Sequence, residues 1–492
     1  MSWSIRISRL SVGLLAGLTV VVGASLPGVA QQATAPNPFQ QLRFRTIGPP
    51  GNRTIAVVGE PGNPLVIYVG AASGGIFKTT DGGNSWKPIF DDQDVSSIGS
   101  LTVAPSSPNI VWAGTGETFL IRPAVAMGNG IYRSDDAGRH WKHKGLEKTG
   151  RIGRVVVHPR NPDIVYACAL GHAFGPQPER GVYRTTNGGE TWEQVLKVDE
   201  QTGCSDVAID PNDPQTLFAG MWQLDIKTWK LNSGGPGSGV YVSRDGGTSW
   251  QKLVGRGLPP ADHVVGKTAV AVSASRPGLV FALIEDATPG LYRSEDSGAT
   301  WRLVQEDHVL AERAPYYVRF AIAPDNENVL YFASVSWSVS LDGGRSLDPT
   351  AARAGGDNHD IWIDPLEPRR IMVAHDQGIG ISLDRGRTYE QVRLPIAQMY
   401  HVAVDTQIPY FVYGSRQDGQ TMRGPSNSLM GATPGGGPGG IPVGLWRHVG
   451  GCEDGFAIPD WQDNNIVWAG CFDGQLDRFD LRTSVARSVD VW

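Results

Sequence analysis

One octet, Ser/Thr-x-Asp-x-Gly-x-x-Trp, recurs along the chain and restricts its fold more than any other feature. It reads TTDGGNSW (Thr79–Trp86), SDDAGRHW (Ser134–Trp141), TTNGGETW (Thr185–Trp192), SRDGGTSW (Ser243–Trp250) and SEDSGATW (Ser294–Trp301). Two looser copies follow, SLDGGRSL (Ser340–Leu347) and SLDRGRTY (Ser382–Tyr389). Asp or Asn stands at positions Asp81, Asp136, Asn187, Asp245, Asp296, Asp342 and Asp384, at intervals of roughly fifty residues.

The chemistry of the octet is that of a hairpin turn. Asp and Gly allow the positive φ angles of a tight reversal, and the Asp carboxylate accepts backbone amides within it. The Ser or Thr hydroxyl adds a local bond, and the Trp ring anchors the returning strand. A short run precedes each of the five clear copies: GGIFKT, GIYRS, GVYRT, GVYVS and GLYRS. Their alternation of apolar and polar residues is the period-two signal of a half-buried strand.

A second marker lies upstream: PGNPLVIYVG from Pro61, APSSPNIVWAG from Ala104, HPRNPDIVYAC from His158 and DPNDPQTLFAG from Asp210, with looser copies later. Repeated before an apolar strand, Pro-x-x-Pro reads as a turn and not as a ligand for a proline-binding domain. Each unit is then strand, Pro turn, strand, loop, strand, Asp-box turn, strand. Four antiparallel strands in about fifty residues is the size of a propeller blade. The expected fold is all-β: a β-propeller of four-stranded antiparallel blades with Asp-box hairpins, in seven to nine blade-like units. A sandwich does not repeat in this way, and a parallel β-helix has a shorter period.

The 63 glycines and 34 prolines suit a chain of many turns, and a net charge of −6 without a basic stripe argues against nucleic acid as a partner. Residues 1–30 have the form of a signal peptide. Arg6 and Arg9 precede the apolar run Leu10 to Val22, and Pro27, Gly28 and Ala30 follow where cleavage needs small residues. An uncleaved N-terminal anchor is the alternative. Residues 31–41 read as a linker and 42–492 as the propeller. A periplasmic or secreted location is expected, with no membrane span after signal removal. Disulfides are possible there, and Cys168, Cys204, Cys452 and Cys471 allow three connectivities. Neighbour pairing is the simplest; small buried thiols are the alternative.

The octets resemble the Asp boxes, or BNR repeats, of bacterial sialidases, xyloglucanase-type glycoside hydrolases and the sortilin (VPS10) ectodomain. More closely, the chain is similar to exported bacterial propeller proteins known as BNR-repeat glycosyl hydrolases or sortilin-like proteins. The residues that carry this include FRTIGPPGNR (Phe44–Arg53), GTGE (Gly114–Glu117), GGDNHDIWIDP (Gly355–Pro365), YGSRQDG (Tyr413–Gly419) and WRHVGGCEDGF (Trp446–Phe456). Proteins of this kind are commonly longer and carry a second propeller, which makes this chain a candidate N-terminal part of a two-propeller protein. The sialidase likeness fails in detail, because Ile121-Arg122-Pro123 follows the first Asp box instead of preceding it.

The Asp-box carboxylates are read as turn-formers, since the repeat accepts Asn187. The candidate catalytic residues are Asp357, His359 and Asp360, at the start of an apolar strand, with Asp376 and Asp454 in similar loop-to-strand positions. On an extended chain Asp357 and His359 point to one side, as an acid–base pair or a divalent-cation site would require. A hydrogen-bonded network capping the strand is the competing reading. The candidate ligand-binding residues are Glu117, Arg122, Arg180 and Asp418 on loops, Trp222 and Trp229 in a Gly/Ser-rich insertion, and Trp446 beside the Gly-rich stretch Gly431 to Gly440. No cofactor is expected. Two functions follow: binding of a protein, peptide or glycan, or glycoside hydrolysis by paired carboxylates, with an inactive remnant of such an enzyme as a variant of the second. A glycosidase should hold two carboxylates across an open cleft lined by Trp; a binding protein should not.

Overall fold

A computed structural model describes residues 47–49, 51, 53–118, 126–427 and 445–490. All belong to the unit Arg45–Trp492. The expected signal peptide and linker, Arg122 and the stretch Gly431 to Gly440 lie outside the described residues.

The described residues form nine antiparallel sheets, each built from consecutive strands. We number them as blades 1 to 9: residues 54–88, 98–143, 152–196, 202–252, 268–306, 319–340, 358–392, 399–448 and 457–488. Blade 6 has three strands; blade 4 has a fifth, paired to the far end of its second strand.

The alternation in each strand decides what lies between blades. In Thr54–Glu60, Ala56 and Val58 face blade 2 and pack with Ile98 and Leu101, while Val57 faces blade 7 and packs with Met372 and Ala374. Five further apolar layers of this kind complete the ring of blades 1 to 7. No sheet closes on itself; the ring closes where blade 7 packs against blade 1. The innermost strands of these seven blades are mostly buried, whereas the outermost ones are largely exposed, such as Lys142–His143 and Gln251–Lys252. Blades 8 and 9 stand beyond the ring and share their own core of Tyr413, Val449, Ala457, Val467 and Phe479.

The octets are the turns that follow the third strands, leading into the fourth in every blade from 1 to 7 but the three-stranded blade 6. In the first, the Thr79 hydroxyl accepts the Gly83 amide at 3.0 Å and donates to Asp81 Oδ1 at 2.7 Å, and Asp81 accepts the Ser85 amide at 2.9 Å. The position after the acid adopts positive φ in several copies, which Gly82 meets freely and which Ala137, Ser297 and Arg385 adopt despite their side chains. Every Asp-box turn lies against the Pro turn of its own blade, as in the bond from the Gly82 amide to Leu65 O and from the Gly188 amide to Asp163 O. All these turns therefore share one end of the ring. The loops between second and third strands, and the chain leading into each innermost strand, form the opposite end. Cys168–Cys204 and Cys452–Cys471 are disulfide-bonded, the first joining blade 3 to blade 4.

Candidate functional site

The end opposite the Asp boxes holds a cluster of buried polar residues that the repeat does not supply. Its base is a charge network inside the ring. Arg154, on the innermost strand of blade 3, donates to Asp206 Oδ1 of blade 4 at 2.9 Å and to Asp360 Oδ1 of blade 7 at 3.3 Å. Arg319 of blade 6 adds a second bond to Asp206 Oδ1 at 2.8 Å. The remaining oxygens accept the amides of Val57 and Val270 at 3.2 Å. These side chains reach between blades on different sides of the ring and fill its axis with paired charge.

Closer to the loops lies a second layer. Arg53 forms a buried ion pair with Glu117 and donates to the Tyr316 hydroxyl at 3.1 Å. Lys267 donates to Tyr316 O at 3.1 Å; burial, followed by the Arg319 charge, pushes its ammonium down to about 7. The Tyr317 hydroxyl donates to Asp357 Oδ1 at 2.7 Å, and burial raises that phenol well above its usual range. Asp357 takes positive φ, and a register shift separates Asn358 from Asp360.

This geometry corrects the expected Asp357–His359 pair. His359 Nε2 faces Asp376 Oδ1 at 2.6 Å, and Asp357 is committed to Tyr317. The extended-chain argument failed because Asp357 is not extended. Burial, then the Arg53 charge, holds the His359 imidazole well below its ordinary value, so it is neutral. Asp360 belongs to the axial network. Among the described residues no group of three His, Cys, Asp or Glu is placed to hold a metal ion.

Asp376 is the residue on which the layer opens outward. Its carboxyl is hydrogen-bonded to that of Asp418 from blade 8. Burial, the charges of Asp376 and Glu453, and that shared bond push Asp418 up to about 7. The two carboxyls border a cavity of about 100 Å³ between blades 7 and 8, lined also by Gly51, Gln377, Arg393 and Arg416. Burial and the neighbouring Arg393 charge lower Arg416. Tyr400 donates to Glu453 Oε1 nearby at 2.9 Å, whereas Asp454 is exposed.

Several expected ligand contacts lie inside the protein. Glu117 is buried in its pair with Arg53, and Arg180 is buried with its guanidinium on the carbonyls of Gln201, His172 and Gly175. Trp222 is fully buried in the strand Leu217–Lys227 and donates to Ser233 Oγ at 2.9 Å. The Gly/Ser-rich insertion is thus a β-hairpin rather than a loop, with exposed Trp229 at its turn. Trp446 packs on Met422 and donates to Ile47 O at 2.7 Å, since Gly48 and Gly424 leave room for its ring. Sequence reasoning did not single out Arg53, Arg154, Asp206, Lys267, Tyr317, Arg319, Gln377, Arg393 or Arg416. A readable signal existed for three of them: a lone charge within each of the apolar runs IGRVVV, CSDVAI and RFAIA, matching Asp360 in NHDIWI.

Ring, Asp boxes and polar end define a class by fold, an Asp-box β-propeller. The Sortilin-Vps10 family, described as sortilin, neurotensin receptor 3, matches residues 129–257. Xyloglucanase Xgh74A of Acetivibrio thermocellus is 25% identical over 336 residues, 58% of this chain and 38% of that protein. A xyloglucanase of a Paenibacillus species is 22% identical over 439 residues, 73% of this chain and 40% of its own. The chain thus spans about two fifths of the length of these curated relatives. In fold it is similar to an ancestral GH74 enzyme (TM-score 0.61, 16% identity, 91% of this chain and 63% of that one). It is also similar to the GH74 enzyme of Niastella koreensis (TM-score 0.53, 14% identity, 91% and 80%).

Proposed function

We propose that this chain is an exported binding propeller whose ligand, a protein, peptide or glycan, seats at the cavity between blades 7 and 8. One observation carries the reading: that cavity is where buried charge of both signs opens outward from an axis otherwise filled by ion pairs. The carboxyls of Asp376 and Asp418 touch, whereas a glycosidase pair stands roughly 5 Å or more apart, with the sugar between. Among the described residues no Trp lines the cavity. The two disulfides and the N-terminal pattern support export.

A second reading, polysaccharide hydrolysis, draws on Asp418, raised to about 7 and so able to give up a proton near neutral pH as a general acid must, and on the xyloglucanase relatives. Both are tested together by screening the purified chain on glycan and peptide arrays and assaying the same polysaccharides for new reducing ends. The binding reading expects retained ligand without cleavage, and at least about tenfold weaker retention by Arg416→Ala. Cleavage that disappears in Asp418→Asn transfers the assignment to the enzyme. No retained ligand and no cleavage by folded protein overturns both.

A further inference from the structure

We propose that the cavity between blades 7 and 8 receives the carboxylate of an acidic sugar, a uronate residue of a glycan. This rests on the binding reading above and names its ligand class. Two of the six lining residues are guanidinium groups, on chain segments of different blades. Burial, then the Arg393 charge, lowers Arg416. In the same lining, Asp376 and Asp418 are hydrogen-bonded carboxyls that hold a proton between them below neutrality. The lining then carries two positive charges against one negative charge, and one carboxylate balances it. Arg is suited to this, because its planar fork meets both oxygens of a carboxylate.

The rest of the lining separates an acidic sugar from other carboxylates. Gln377, Asp376 and Asp418 offer acceptors and donors to hydroxyl groups. Among the described residues the lining is polar or glycine, so the terminal residue of a peptide finds little there to bury against. The volume of about 100 Å³ holds a carboxylate with its nearest hydroxyls, and the remaining sugars of a chain would lie across the open rim.

Binding should be linked to pH through Asp418. The groups that face it are Asp376 and His359 of blade 7, Glu453 before blade 9, Arg53 before blade 1, and Arg416 of its own blade. His359 is neutral, and Glu453 and Asp376 both disfavour ionisation of Asp418. A uronate stays ionised throughout this range. As pH rises through about 7, Asp418 gains a negative charge beside the ligand, so affinity falls.

The experiment is calorimetric titration of the full chain with oligogalacturonate and oligoglucuronate, beside their neutral counterparts and a peptide in free-acid and amidated forms. We expect the uronates to bind, the neutral sugars to bind at least about tenfold more weakly, and affinity to drop by about tenfold between about pH 5.5 and about pH 8.5. Arg393→Gln, at an exposed position, should weaken uronate binding by about tenfold or more. In Asp418→Asn the change of uronate affinity between about pH 5.5 and about pH 8.5 should disappear. Equal binding of neutral and acidic sugars, or binding of the free-acid peptide alone, overturns the uronate assignment and leaves the binding reading standing. If none of these ligands binds and the arrays retain nothing, both fall.

Discussion

The Asp-box carboxylates and the carboxylates of the polar end are the same side chain put to different uses by their surroundings. In a box, hydrogen bonds from the Ser249 hydroxyl and amide hold Asp245 down at about 2. Asp418 sits among other acids and is pushed up to about 7. Linkage gives opposite signs for stability. The box contribution is complete above the ordinary value near 3.8 and is lost as pH falls through about 2. Asp418 removes stability as pH rises from that ordinary value to about 7, and its effect is constant above. The essential box atom is the hydroxyl at its first position: Ser243 is buried, donates to Asp245 Oδ1 at 2.8 Å and accepts the Gly247 amide at 2.8 Å. Ser243→Ala leaves that amide unsatisfied and should cost about 1–2 kcal/mol in urea unfolding. Asp245→Asn should melt close to the parent at neutral pH, because Asn187 already accepts the Thr191 amide at 3.0 Å in its own box. The turn was legible in the sequence because all its bonds are local. The pairing of Asp376 with Asp418 was not, since those residues meet only when blades 7 and 8 are side by side.

At the scale of the blade, alternation predicted strands correctly and loops poorly. The strand pattern of LFAGMWQLDIK was hidden by the Gly/Ser-rich stretch after it, and the ladder from Leu224↔Ser233 to Lys227↔Lys230 shows a hairpin extending blade 4. Trp222 is in that ladder's base and packs with Leu170 and Leu224, so a tryptophan expected to meet ligand serves the core. The neighbour pairing of cysteines was readable in part, and its structural meaning was not. Cys168 lies on the second strand of blade 3 and Cys204 on the innermost strand of blade 4, so this disulfide fastens two blades across their apolar layer. Its sequence separation of 36 residues gives a chain-entropy stabilisation of about 3–4 kcal/mol. The Cys168→Ala/Cys204→Ala double variant should lose about that much in denaturant unfolding. Hydrogen exchange should show the loss first at the junction of blades 3 and 4. An unchanged midpoint would mean that the apolar layer alone holds these blades.

For the whole molecule, the decisive junction is the one that no chain connection makes. Blades 1 to 7 follow one another along the chain, but blade 7 meets blade 1 across about three hundred residues. Its bonds are correspondingly specific. Asp360 accepts the Val57 amide, Asp364 accepts the Gly62 amide at 3.1 Å, and Arg370 donates to Glu60 O at 3.1 Å and Val66 O at 2.9 Å. Arg370 and Asp364 are both buried and paired at 3.1 Å, with the guanidinium also lying 5.1 Å from the Trp362 ring. Burial lowers Arg370, yet its neighbours keep it charged. Removing Asp364 therefore strands a buried cation at the junction that closes the ring, and that is costlier than losing the pair's own attraction. Asp364→Ala should destabilise by about 3–5 kcal/mol. Hydrogen exchange should rise in the strands Thr54–Glu60 and Ile371–His375 before it rises in blade 4, on the far side of the ring. Replacing both partners, Asp364→Leu with Arg370→Met, should recover much of the loss by restoring an apolar layer like those at the other junctions. A uniform rise in exchange around all seven blades would instead mean that the ring unfolds as one cooperative unit, with its closing junction no weaker than the rest.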